Sequence, residues 1–166
     1  MPQRSERPVT VLVAEDDPDD RLITREAWDE ASLDNDLRFV EDGEELLDYL
    51  FARGRYSEAS AAPRPGLILL DLNMPKVDGR EALREIRSHE SLRCVPVVVL
   101  TTSGASEDVA WAYDSGANSY MRKPSTFSGL SETVKAIGRY WLEHAELPIV
   151  GGDGSAGTES DKSSAR

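Results

Sequence analysis

The chain has 166 residues, an apolar fraction of 39% and a formal net charge of −12. That length and composition suit one packed domain, while the acidic balance excludes the basic face that nucleic-acid binding requires and disfavours anionic membrane surfaces. Cys94 is the only cysteine, no run is apolar enough to span a membrane, and MPQRSERP at the start has no signal-peptide core, so a cytoplasmic location is expected.

In chain order, residues 1–8 read as a polar extension. The first predicted strand is VTVLVA, 9–14, running directly into Glu15, Asp16 and Asp17. Asp17 suits an N-cap and Pro18 a first helical position, which predicts a helix to about Ala31 with Asp19 and Asp20 favouring its positive end. A second strand, LRFV (37–40), precedes a helix over 43–53 that turns Leu46, Leu47 and Leu50 inward. Residues 52–66 are long for a connection and predict a further helical turn followed by a surface loop. The third strand, LILL (67–70), leads into Asp71, and a third helix from Gly79 carries Ala82, Leu83 and Ile86. VPVVVL (95–100) is followed by Thr101 and Thr102, and a fourth helix over 107–115 stops at Gly116. NSYM (118–121) precedes Lys123 and Pro124. The fifth helix begins near Phe127, with apolar positions 127, 130, 134, 137 and 141 on one stripe. From 149 onward a polar tail is expected to be disordered.

Three of the five strands are near-continuously apolar, as strands covered on both faces are. Strand and helix alternate five times, which predicts a doubly wound parallel α/β sheet. In such a sheet, sites form beyond the carboxyl ends of the strands. Glu15, Asp16, Asp17, Asp71, Thr101 and Lys123 all fall there. Taken singly, each has an ordinary structural task as a cap, a turn residue or a solvated lysine; their coincidence at one edge points to chemistry. Clustered carboxylates repel, and a hard divalent cation such as Mg²⁺ offsets them. A lysine and a hydroxyl beside them suit a phosphoryl group, and a carboxylate can accept one. Asp71-Leu72-Asn73 begins like a calcium loop, but Pro75 and Lys76 break its ligand alternation. His89 and His144 belong to no catalytic motif and read as helix-surface residues; Cys94 reads as inert.

VLVAEDD, LILLDLNMPKVDG, PVVVLTTSG, GANSY and KPST stand in an order that resembles the receiver domain of two-component response regulators over about 9–142, with the domain itself expected over 9–148. The resemblance implies a five-stranded (βα)5 flavodoxin-like fold with strand order 2-1-3-4-5. It implies a phosphoacceptor, Asp71, that takes a phosphoryl group from a histidine kinase. It implies Mg²⁺ held by Asp16, Asp71 and the backbone carbonyl of Asn73, with Glu15 acting through water. Thr101 and Lys123 match the phosphoryl-binding residues, Thr101 and Tyr120 the switch residues, and the Lys123–Pro124 bond is expected cis. Asp17 falls one position late for a ligand. The insertion at 52–66, DLNMPKVDGREALREIR and GANSYMRKP together resemble stand-alone receivers paired with bacterial phytochromes, so a phytochrome-type kinase is an expected partner, and no output domain is expected after Pro148. Two other readings compete: a receiver-like module that binds partners without phosphorylation, and a haloacid-dehalogenase-type phosphatase. The phosphatase needs a second acid two residues beyond Asp71, where Asn73 stands. The protein is thus expected to be a phosphoacceptor and not an enzyme, beyond slow autodephosphorylation. Trp111 lies off the core stripe of the fourth helix, while Trp141 continues the stripe of the fifth and Tyr140 widens it; this aromatic face predicts a homodimer.

Overall fold

The computed structural model describes residues 8–148; the extension before Pro8 and the tail from 149 lie outside the described residues. Five strands, β1 (Thr10–Ala14), β2 (Asp36–Val40), β3 (Pro65–Leu70), β4 (Val97–Thr101) and β5 (Ser119–Arg122), form one sheet in the order β2-β1-β3-β4-β5. Every pairing is parallel. Five helices connect or follow them: α1 (Pro18–Glu30), α2 (Gly43–Leu50), α3 (Gly79–Ser88), α4 (Ser106–Asp114) and α5 (Phe127–Gly138). This is the expected doubly wound architecture.

Side chains alternate across each strand, and the alternation builds two cores. Leu12, Ala14, Ile68, Leu70, Val97 and Val99 pack with α2 and α3 residues such as Leu46, Leu83 and Ile86. Val11, Val13, Leu67, Leu69, Val98 and Leu100 face the opposite side, where Ala27 and Trp28 of α1 meet Leu130, Val134 and Ile137 of α5. Both faces of the central strands β1, β3 and β4 are thus covered, which explains their near-continuous apolar runs.

Local signals set most helix starts. Asp17 caps α1 by accepting from the N–H groups of Asp19 and Asp20, with Pro18 at the first position. Asp42, Asp78 and Thr126 cap α2, α3 and α5 in the same way. Phe127 departs from the expected core stripe. It is 74% exposed, because the first residue of α5 stands at the end of the helix, where the sheet no longer covers it. Beyond α5 the chain continues as a π-helical turn, Arg139–His144. The segment 52–66 folds as two short 3₁₀ turns, Gly54–Tyr56 and Ala59–Ala61. It is not a plain surface loop: Tyr56 is buried against Tyr49, whose hydroxyl donates to Pro63 O at 2.7 Å.

Two glycines hold the connection after β3 in place. A Cβ on Gly79 would lie 2.2 Å from Asp71 O, and one on Gly43 would lie 1.8 Å from Val77 O. The loop from Asp71 to Gly79 therefore folds back on its own strand and onto the N-terminus of α2. Gly43→Ala is expected to destabilise the domain by about 1–3 kcal/mol, the usual range for forced overpacking, as measured by urea unfolding.

Candidate functional site

Strand register assembles the site. Ala14 is the partner of Leu70, so Glu15 and Asp71, the next residues, emerge side by side. Thr101 is the partner of Arg122, so Lys123 emerges next to it. Backbone bonds fix these ends: Asp71 N–H donates to Ala14 O at 3.1 Å and Lys123 N–H to Thr101 O at 2.7 Å. The crevice lies at the switch point between β1 and β3, where connections leave the sheet in opposite directions.

Asp71 is buried and both of its oxygens are engaged. Oδ1 accepts from the Thr101 hydroxyl and from the backbone N–H of Asn73, each at 3.0 Å. Oδ2 accepts from Lys123 Nζ at 2.9 Å. The Asn73 side-chain amide reaches Thr101 Oγ1 at 3.5 Å. Lys123 also donates to Glu15 Oε2 at 2.5 Å and to Asp20 Oδ2 at 2.9 Å. Glu15 Oε1 accepts from the N–H of Asp17 at 3.0 Å. Asp16 is exposed, yet its carboxylate lies with those of Glu15 and Asp71 inside a group whose oxygens are within 4.8 Å of one another. Three hard oxygen donors, one of them open to solvent, fit a small divalent cation that keeps part of its water.

Burial pushes the Glu15 carboxyl up to about 7; the Lys123 hydrogen bond opposes this and the charge of Asp71 adds to it. Burial works against the Lys123 ammonium, but hydrogen bonds to Glu15, Asp71 and Asp20 outweigh it and hold the lysine above its ordinary range.

The residues expected at the sheet edge, Glu15, Asp16, Asp71, Asn73, Thr101 and Lys123, come together here. Asp17 serves as a cap, not as a member of the cluster. The Lys123–Pro124 bond is trans, not cis; trans is the lower-energy form of an X–Pro bond by about 0.5–1 kcal/mol. Tyr120 is half-buried and its hydroxyl donates to Ser103 O at 2.8 Å. Of the aromatic residues expected on one exposed face, Tyr140 is 58% exposed, whereas Trp111 and Trp141 are half-buried against the two cores. Arg84 covers the Trp111 ring. Asp20 is the residue that sequence reasoning assigned only to the helix dipole. Its spacing with Thr24, Ala27 and Trp28, the buried residues of α1, puts an acid on the inward stripe, and that was the available signal.

The fold and this acidic edge define a receiver. The response regulator receiver domain family matches residues 11–135, and the chain belongs to that family. It is a signalling domain of the two-component type. Among its relatives, the response regulator Rcp1 of Synechocystis sp. is 38% identical over 148 residues, covering 89% of this chain and 99% of Rcp1. The crystal structure of the phosphorylated cyanobacterial phytochrome response regulator RcpA superposes with a TM-score of 0.80 at 40% identity, covering 85% of this chain and 99% of that one. The Mn²⁺-bound form of Rcp1 superposes with a TM-score of 0.79 at 39% identity, again covering 85% and 99%. Among the described residues, no helix is long and apolar enough to cross a membrane.

The raised Glu15 makes a pH prediction. Because its folded value lies above the ordinary 4.5, its contribution to stability is full below about 4.5 and is lost as pH rises through about 7. In metal-free buffer the Glu15→Gln variant is expected to gain on the parent by on the order of 3 kcal/mol between pH 4.5 and 8. Urea unfolding at each pH measures it, and a difference that does not change with pH would contradict it.

Proposed function

We propose that Asp71 accepts a phosphoryl group from a phosphohistidine of a histidine kinase and that the modified domain signals through its α4–β5–α5 face. One observation carries the reading: the buried Asp71 carboxylate has Oδ1 pinned by Thr101 and the Asn73 N–H while Oδ2 faces the Lys123 ammonium. A carboxylate held this way presents one oriented oxygen to an incoming phosphorus atom. That oxygen forms the new P–O bond as the P–N bond to the donor histidine breaks, and the bonding pair leaves with the imidazole. The product is an acyl phosphate.

Lys123 and the Thr101 hydroxyl then lie within reach of phosphoryl oxygens, as a point charge and a donor. Asp16 and Asp71, with the Asn73 carbonyl and a water-linked Glu15, would hold Mg²⁺. When bound, the ion offsets negative charge that builds on the transferring group. Slow hydrolysis of the acyl phosphate would reset the domain. A phosphoryl group drawing on Thr101 would also bias Tyr120, whose hydroxyl is tied to the connection between β4 and α4 through Ser103 O. The likeness to RcpA and Rcp1 supports a phytochrome-type kinase as the phosphodonor.

Tyr140 supports a homodimer through the same face. It is 58% exposed and meets Trp141 edge-on with ring centroids 5.1 Å apart, while Tyr113 of α4 is 51% exposed with its hydroxyl on the Tyr120 N–H.

Asp71→Asn is expected to keep the thermal melt and to lose phosphorylation by acetyl phosphate or kinase, with labelling down at least about 100-fold. Mass spectrometry reads the result, and stoichiometric labelling of the variant would overturn the assignment. Tyr140→Ala together with Tyr113→Ala is expected to weaken self-association at least about tenfold. Light scattering at micromolar concentration measures it, and a parent chain that stays monomeric with and without phosphorylation would reject the dimer.

A further inference from the structure

Lys123 Nζ has three N–H donors and three carboxylate partners in the pocket. Two of the three have a second task under the reading above. Asp71 is the group that is modified. Glu15 belongs to the trio able to hold a cation. Asp20 has neither task. It lies outside that trio, and its side chain is 23% exposed, against 6% for Glu15 and 8% for Asp71.

Conversion of Asp71 to an acyl phosphate removes the carboxylate charge that Lys123 faces at Oδ2. A cation would share the charge of Glu15. Asp20 then remains the one partner whose hold on the ammonium is unaltered. Its own position is fixed by the first turn of α1: its N–H donates to Asp17 Oδ1 at 3.4 Å, and its carbonyl accepts from the Thr24 hydroxyl at 2.8 Å. Lys123, in contrast, projects from the connection between β5 and α5 on a flexible stem. A free lysine of that length has many rotamers, and only a few of them lie over Asp71.

We infer that Asp20 is a positioning residue for phosphoryl transfer, anchoring the Lys123 ammonium at Asp71 so that it meets the incoming phosphoryl oxygens whether or not the metal has claimed Glu15. This rests on the phosphoacceptor reading of Asp71. The role is electrostatic as well as geometric: Asn at position 20 keeps an acceptor oxygen but loses the charge, while Ala loses both.

The test uses the full chain, acetyl phosphate and excess Mg²⁺, with Asp71 labelling followed by mass spectrometry and Mg²⁺ affinity by calorimetry. Asp20→Ala is expected to slow labelling roughly tenfold, with Asp20→Asn intermediate. Mg²⁺ affinity should stay within about twofold, and in a Lys123→Ala background the Asp20 substitution should change the rate by less than about twofold. A labelling rate for Asp20→Ala within about twofold of the parent overturns the inference, as does a parallel loss of Mg²⁺ affinity, which would make Asp20 a metal ligand. A full effect persisting without Lys123 overturns it too, because Asp20 would then act on the phosphodonor. If Asp20→Ala does not fold, the isosteric Asp20→Asn decides by the same criteria. A parent chain that takes no label at Asp71 overturns the phosphoacceptor reading and this inference together; a labelled parent with unaffected variants overturns the inference alone.

Discussion

The ammonium of Lys123, set among Glu15, Asp20 and Asp71 at the carboxyl edge of the sheet, is the interaction on which the rest of the site depends. Carboxylates crowded into a partly buried pocket repel one another, and each is costly to desolvate. One buried cation makes their approach tolerable, although it does not neutralise them. Glu15 is raised chiefly by its burial, and the charge of Asp71 adds to the shift. A pocket in that condition gains from any further positive charge, which is the physical reason a divalent cation suits it.

That arrangement is in turn a consequence of strand register. No local turn brings residues 15, 71, 101 and 123 together; they meet because β1 and β3 end on the paired residues Ala14 and Leu70, while β4 and β5 end on the paired residues Thr101 and Arg122, two residues past Val99, the partner of Leu70. The two dry cores hold the register, since a slip by one residue would move each strand's side chains to the wrong face. Gly43 and Gly79 add a tighter constraint by letting the loop after Asp71 pack directly on backbone.

From the site a bonded path runs outward. Thr101 contacts Asp71, and two residues on, the Ser103 carbonyl accepts from Tyr120 while its hydroxyl donates to Asp108 at 2.5 Å. Asp108, near the start of α4, also pairs with Arg80 of α3 at 2.9 Å. The connection between β4 and α4 is therefore held by polar contacts, with little apolar packing. Contacts of that kind can rearrange for a small free-energy difference, as a population switch requires.

The sequence by itself determined the periodic and the local features. The apolar runs of β1, β3 and β4 marked a doubly covered sheet, and Asp17, Pro18 and Gly116 marked helix ends. The acids, hydroxyl and lysine at strand ends marked the site. Tertiary structure decided what depends on which element lies alongside. Phe127 continued a helical stripe and is exposed, because a stripe is buried only where a neighbour covers it. Trp111 fell off its stripe and is nonetheless half-buried, with Arg84 over its ring. Tyr56, inside the long connection, found a core through Tyr49. Asp20 had the clearest local explanation as a first-turn acid, yet its carboxylate contacts a lysine 103 residues away. Periodicity tells which way a side chain points; the contact it makes depends on how α1 and β5 are set against the same sheet, and that is fixed only when the whole sheet has formed.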